Sequence, residues 1–159
     1  MNAENYLFNI SSTKIKLGLD RTNRLLKACN SPHKKIFTIQ LVGTNGKGST
    51  AAMLATILNE KYLVGLFTSP HLVDYKERIR VDFKKISNVD IESFLKKYNN
   101  DIKSIKPSFF EIMTVISLWY FHRKKVDIAI LETGLGGRLD SVTSCNNNIL
   151  GYTNIDIDH

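Results

Sequence analysis

The chain has 159 residues, 43% of them hydrophobic, and 22 lysines and arginines against 15 acidic residues leave a net charge of +7. That length suits one domain with a buried core and is short for two. No apolar run approaches the roughly 20 residues needed to cross a bilayer, so a membrane partner is not expected.

The first residues, MNAENYLFNISSTK, lack a basic start and a long apolar segment and do not read as a secretory signal, which points to the cytoplasm. Cys29 and Cys145 stand alone without metal-ligand spacing and are expected as reduced structural thiols. The positive charge favours anionic partners. It lies mostly in lysine pairs such as Lys34-Lys35 and Lys124-Lys125 without interleaved stacking aromatics, so nucleic acid is not the expected partner.

In chain order, Lys35 to Val42 is apolar and β-branched and predicts a strand. Gly43 to Gly48 predicts a turn, and Ser49 to Asn59 carries apolar residues at helical spacing. Val64 to Phe67 follows as a second strand, ended by Thr68-Ser69-Pro70, which completes a βαβ unit and predicts a parallel sheet. Ile79, Val81 and Phe83 alternate with charges as in a half-exposed strand. Val89 to Tyr98 reads as an amphipathic helix capped at Asn88. Ser108 to His122 is a strongly apolar helix after Pro107, Val126 to Leu131 a buried-type strand, and Ile149 to Thr153 a last strand leading into Asn154 to His159. The fold class is α/β with a mostly parallel sheet flanked by helices, without an internal repeat or linker.

Gly43-Thr44-Asn45-Gly46-Lys47-Gly48-Ser49-Thr50 sits between a predicted strand and a predicted helix, the setting of a phosphate cradle. Glycines let backbone N–H groups face one point, the helix N-terminus adds partial positive charge, and Lys47 supplies a cation. Ser49 or Thr50 could offer a hydroxyl to Mg²⁺. The spacing departs from G-x-x-x-x-G-K-[ST], because Leu41 takes the place of the first glycine and Gly48 separates Lys47 from Ser49. A plain connecting turn is the alternative.

In an open parallel sheet, ligands sit beyond the carboxyl ends of the strands. Those ends carry Gly43 to Lys47, Thr68 to His71, Glu132-Thr133-Gly134 and Asn154 to His159. Ser69 and Glu132 are a plausible oxygen pair for Mg²⁺ beside ATP; a salt bridge from Glu132 to Arg138 or a lysine is the competing assignment. His71 and His159 are ambiguous as ligands. The Gly134 to Asp140 segment, GLGGRLD, would serve equally as a tight connection or as a loop presenting Asp140 to a substrate.

Taken together, GTNGKGST at Gly43, FTSPHLVDYKERIRV at Phe67, SFFE at Ser108, LETGLGGRLDSVTS at Leu131 and TNIDIDH at Thr153 resemble the folylpolyglutamate synthase/dihydrofolate synthase family in order and spacing. The resemblance covers essentially the whole chain, including KLGLDR at Lys16, and implies a P-loop, Mur ligase-like ATPase fold. Thr44, Asn45, Gly46 and Lys47, with Gly48 and Ser49, would contact ATP. Ser69 and Glu132 would hold one Mg²⁺ and His159 a second. The pterin-binding positions would be Ser11, Ser12, Thr13 and Lys14; Ser108, Phe109, Phe110 and Glu111; and Leu139, Asp140 and Ser141.

The implied reaction is activation of a folate or dihydropteroate carboxylate by ATP to an acyl phosphate, which the amine of L-glutamate attacks. Lys47, Glu132 and His159 would be the catalytic set. Family members are longer, so residues 1–159 are expected to be the N-terminal part of the ATP-binding domain. The rest of that domain and the C-terminal glutamate-binding domain would be absent, or supplied by a complementary chain. On that expectation the chain alone has little or no ligase activity. A non-catalytic remnant or nucleotide-binding module is the alternative.

Overall fold

The computed structural model describes residues 3–11, 18–145 and 147–156. Six strands form one sheet in the order β4-β3-β2-β5-β1-β6. They are β1 (Phe37–Val42), β2 (Val64–Phe67), β3 (Ile79–Val81), β4 (Lys84–Lys85), β5 (Ile128–Glu132) and β6 (Ile149–Tyr152). β2, β5, β1 and β6 run parallel, while β3 and β4 add an antiparallel edge. The expected βαβ crossover is present, with one strand intervening: β1 and β2 are parallel but separated by β5.

The helices are α1 (Ala3–Ser11), α2 (Asp20–Ala28), α3 (Lys47–Leu58), α4 (Asn88–Lys97), α5 (Asn99–Ile105) and α6 (Phe109–Arg123). Period-two alternation sends the sheet's side chains to two layers. Ile39, Leu41, Val64, Leu66 and Ile130 pack with Ala51 and Ala55 of α3 on one face. Phe67, Ile79, Val81, Ala129 and Leu131 join the larger core built on α6, with α2, α4 and α5 around it. α6 reads as almost continuously apolar because it is buried from Glu111 through Leu118, so no amphipathic stripe is needed. Gly65 lets it approach the sheet: a Cβ there would lie 2.7 Å from the Phe121 ring.

Several boundaries differ from the sequence expectation for identifiable reasons. β1 begins at Phe37, because Pro32–Lys35 winds into a 3₁₀ turn. α3 begins at Lys47, two residues early, because Gly46 takes φ +79° at its N-cap and turns the chain directly into the helix. The cap of α4 is Ser87, whose Oγ accepts from the Asp90 N–H; Asn88 lies inside the helix and accepts from the Tyr75 hydroxyl through Oδ1. Phe83 leaves the β3 alternation, because Asp82 and Phe83 take positive φ in the turn to β4. β5 runs from Ile128 through Glu132, so the carboxylate is the strand's last residue.

Candidate nucleotide and metal site

Strand order places Glu132 centrally. Because β5 lies between β2 and β1, its last residue meets the turns that leave both neighbours. Leu41 is level with Glu132, and Phe67 with Leu131. One step beyond, the Ser69 N–H donates to Glu132 Oε2 at 2.9 Å. From the other side the Gly48 N–H, in the first turn of α3, faces the same carboxylate and favours its charged form. The two groups are close: a Cβ built on Gly48 would stand in ordinary van der Waals contact, 3.4 Å from Glu132 Oε1.

Glu132 is 5% exposed. Burial raises its pKa, and four groups oppose that shift: the Ser69 amide, the charges of Lys47 and Arg78, and the Gly48 amide. Its partners are therefore backbone dipoles and two cations held nearby; the salt bridge to Arg138 does not occur among the described residues. Glu132 makes no ion pair among the described residues, and buried charges are commonly paired or coordinate a metal. No cluster of three His, Cys, Asp or Glu exists among the described residues. The protein donors in view are the Glu132 carboxylate and the Ser69 hydroxyl, both oxygen, which fits an ion that keeps water and phosphate in its shell, as Mg²⁺ does.

The glycine loop closes over this point. Lys47 Nζ donates to the Gly43 carbonyl at 2.6 Å and to the Thr44 carbonyl at 3.2 Å, so the ammonium rests on the loop's inner oxygens. The first turn of a helix carries N–H groups the helix cannot pair, which makes it an anion site. Here that turn starts at Gly46 with Lys47, Gly48 and Ser49, and the Thr50 N–H is the first to pair within it, donating to the Gly46 carbonyl at 2.9 Å. The Thr44 and Asn45 amides are turned elsewhere: they donate to the Asn154 carbonyl at 2.8 Å and to Asn154 Oδ1 at 2.9 Å.

The other segments of interest cluster on the α6 side. Ser108 and Glu111 form a reciprocal capping box, with the Ser108 N–H on Glu111 Oε2 at 2.6 Å and the Glu111 N–H on Ser108 Oγ at 3.3 Å. Arg21 Nε, from α2, donates to the same carboxylate at 3.1 Å. Phe110 packs on Gly134 and on Phe67. Asp140 is buried and accepts from the Gly134, Leu135 and Val142 N–H groups, each at 2.9 Å. Its carboxylate thus fastens the GLGGRLD loop, and burial pushes its pKa upward. Ser141 pairs with Thr114 at 2.7 Å, and Leu139 is exposed with its carbonyl near the Gly18 N–H. Ser108 to Glu111 and Leu139 to Ser141 are therefore neighbours in space. Ser11 ends α1; Ser12, Thr13, Lys14 and His159 lie outside the described residues.

One constellation escaped the sequence reading. Arg78 is buried, donates through Nε to His71 Nδ1 at 2.9 Å and stacks on Phe109 with 5.2 Å to the ring centroid. His71 is an acceptor here, its pKa lowered by burial and by Arg78. Neither arginine of ERIR, Arg78 or Arg80, stands in a pattern from which to infer this role; the turn between His71 and Arg78 had to bring the two side chains together.

Comparison with known proteins agrees with this fold. No family model matches the chain. It is 39% identical, over 99% of its length and 20% of the relative's, to the "Probable bifunctional folylpolyglutamate synthase/dihydropteroate synthase" of Haloferax volcanii. Escherichia coli FolC in complex with ADP superposes with a TM-score of 0.87 at 34% identity, over 99% of this chain and 38% of that one. A bifunctional folylpolyglutamate synthase/dihydrofolate synthase with Mn, AMPPNP and L-glutamate bound gives 0.88 at 30% identity, over 100% and 39%. The chain thus spans between a fifth and two fifths of these relatives. By sequence and by fold, it belongs to the folylpolyglutamate synthase/dihydrofolate synthase family, as its five ordered motifs imply.

Proposed function

We propose that this chain is the nucleotide-binding part of an ATP- and Mg²⁺-dependent ligase that joins L-glutamate to the carboxylate of a folate or dihydropteroate. The observation that carries this reading is the convergence of the Ser69 and Gly48 amides on the buried Glu132 carboxylate, beside the Lys47 loop. The ADP, AMPPNP, Mn and L-glutamate bound by similar proteins support the same assignment.

In this reading the phosphates of ATP lie on the first turn of α3. Lys47 exchanges its two loop carbonyls for phosphate oxygens and stabilises charge on the transferring phosphoryl group. Glu132 and the Ser69 hydroxyl would hold Mg²⁺, which when bound neutralises phosphate charge. The substrate carboxylate takes the phosphoryl group to become an acyl phosphate. The glutamate amine then attacks its carbonyl carbon, phosphate departs with the bonding pair, and an amide forms as the amine loses a proton. His159 is assigned to a second metal. Ser11 to Lys14, Ser108 to Glu111 and Leu139 to Ser141 are assigned to the pterin; Phe109 and Phe110 offer the aromatic surface, while Glu111 and Asp140 shape the pocket through the bonds already described.

Residues 1–159 are proposed to form the N-terminal part of a Mur ligase-like ATP-binding domain. The share of the relatives that this chain does not span would supply glutamate binding, in the same polypeptide or a complementary one. None of the described helices is long and apolar enough to cross a membrane, and we place the protein in the cytoplasm with its small-molecule substrates. The test is calorimetric titration with ATP and Mg²⁺, beside a Lys47→Ala variant and with a thermal melt of each. Saturable binding lost in the variant is expected; a cooperatively folded chain that binds no ATP would overturn the reading. Glutamate ligation by the 159 residues alone would overturn the assignment of that step to a larger assembly.

A further inference from the structure

We propose that Asn154 is a positioning residue for the nucleotide, holding the first half of the glycine loop in its anion-ready shape before any phosphate arrives. The inference rests on the nucleotide-binding reading above and goes beyond it, since Asn154 lies on the exit of β6 and not in the loop.

Every backbone polar group from the Gly43 carbonyl through the Asn45 carbonyl has a protein partner. The Thr44 N–H donates to the Asn154 carbonyl at 2.8 Å, and the Asn45 N–H donates to Asn154 Oδ1 at 2.9 Å. Thr153 Oγ1 donates to the Asn45 carbonyl at 2.7 Å. Lys47 takes the Gly43 and Thr44 carbonyls. Outside these, Thr44 Oγ1 accepts from the Asp156 N–H at 3.0 Å and reaches its carbonyl at 3.2 Å. Gly43 makes the fit sterically feasible, because a Cβ there would lie 2.0 Å from Thr153 Oγ1.

Two amides of the kind a glycine loop offers to a phosphate are thus engaged by one asparagine, and the anion is left to the groups from Gly46 onward. At Gly46 the backbone has φ +79° with nothing within 4 Å of a Cβ position, so that side of the loop is open. A loop already ordered loses less conformational freedom when its ligand binds, and that gain appears as affinity. Asn154 is exposed, so its loss removes little buried surface. The effect should fall on ligand affinity and not on global stability.

The test uses the unaltered chain, Asn154→Ala and Asn154→Asp, with ADP as probe. Amide hydrogen exchange is followed at Asn45 without nucleotide, together with calorimetric Kd and a thermal melt. In the unaltered chain the Asn45 amide should be protected. Asn154→Ala should exchange it about tenfold faster and weaken ADP binding about fivefold, the scale of one lost hydrogen bond, with the melting temperature held. Asn154→Asp, which keeps an acceptor oxygen, should keep the amide protected. An unprotected Asn45 amide in the unaltered chain, or an unchanged Kd in Asn154→Ala, overturns the proposal while the nucleotide site stands. If Asn154→Ala does not fold, loss of protection in Asn154→Asp overturns it. Absence of ADP binding by the folded, unaltered chain overturns the nucleotide reading itself, and the role of Asn154 with it.

Discussion

The backbone N–H of Ser69 and the carboxylate of Glu132 meet at 2.9 Å, although 63 residues separate them in sequence. The contact ties the turn after β2 to the end of β5 and exists because β5 inserts between β1 and β2. It joins a proposed metal hydroxyl donor to a proposed metal carboxylate through a bond that orients both.

Glu132→Gln should keep the fold and lose the enhancement of ATP binding by Mg²⁺. Burial raises the folded pKa of Glu132 above its unfolded value. The group therefore favours folding below the unfolded pKa, and that contribution is lost as pH rises through the folded pKa. At neutral pH the charged carboxylate is a cost, so the amide variant should melt no lower than the parent. Melts, with titrations in the presence and absence of Mg²⁺, check this; a clearly lower melt would mean that the charge is structural.

Gly43→Ala should damage the site more than the global fold. Gly43 has φ +153°, which side chains rarely adopt, and its new methyl would collide with Thr153. Either the loop or the β6 exit must move, and ATP affinity should drop at least tenfold, a loss of about 1.4 kcal/mol or more. An unchanged Kd would show that loop and strand exit are uncoupled.

Ser108→Ala removes half of the capping box at the head of α6. Loss of a cap costs about 1 kcal/mol, which for a chain of this length lowers the melting temperature by roughly 2–4 °C. Ser108→Thr should retain most of it. If alanine melts like the parent, the box contributes nothing to stability and Ser108 is free for a substrate role alone.

Glu77 should remain ionised in acid down to about pH 2, where its pKa is held by the Leu72 amide first, then by Lys85 and the Val73 amide. Its pKa is depressed on folding, so its contribution is present above the unfolded value and is lost as pH falls towards about 2. NMR titration of its carboxyl carbon, with the Leu72 amide followed alongside, checks the value. A midpoint near an ordinary glutamate would mean that the turn from Leu72 to Glu77 is open in solution.

Local chemistry was legible wherever one segment specifies itself. The apolar α6 after Pro107 and the short strands β2 and β6 follow from propensity and period, because their signals lie within a few residues. α5 and β4 were missed: seven residues of mixed polarity and a two-residue lysine edge carry no periodic signal. Asn88 was mistaken for a cap because two adjacent capping types, Ser87 and Asn88, stand at the start of α4; only backbone geometry chooses between them, and Ser87 has the extended φ and ψ that a cap requires.

From sequence alone came the α/β class, the glycine loop between strand and helix, the polar residues at strand ends and, through five ordered motifs, the family. Each is a matter of residue type at a given spacing, and spacing is written in the chain. Tertiary structure decided which of those residues meet. Strand order, set by how helices cover both faces of the sheet, placed Glu132 between Ser69 and Gly48 and turned Asn154 back onto Thr44 and Asn45, while the fold of its own loop claimed Asp140. The Asp140 bonds are local, with Gly134 only 6 residues away, whereas Asn45 and Asn154 stand 109 residues apart and meet through a packing that exists only when the whole sheet has formed.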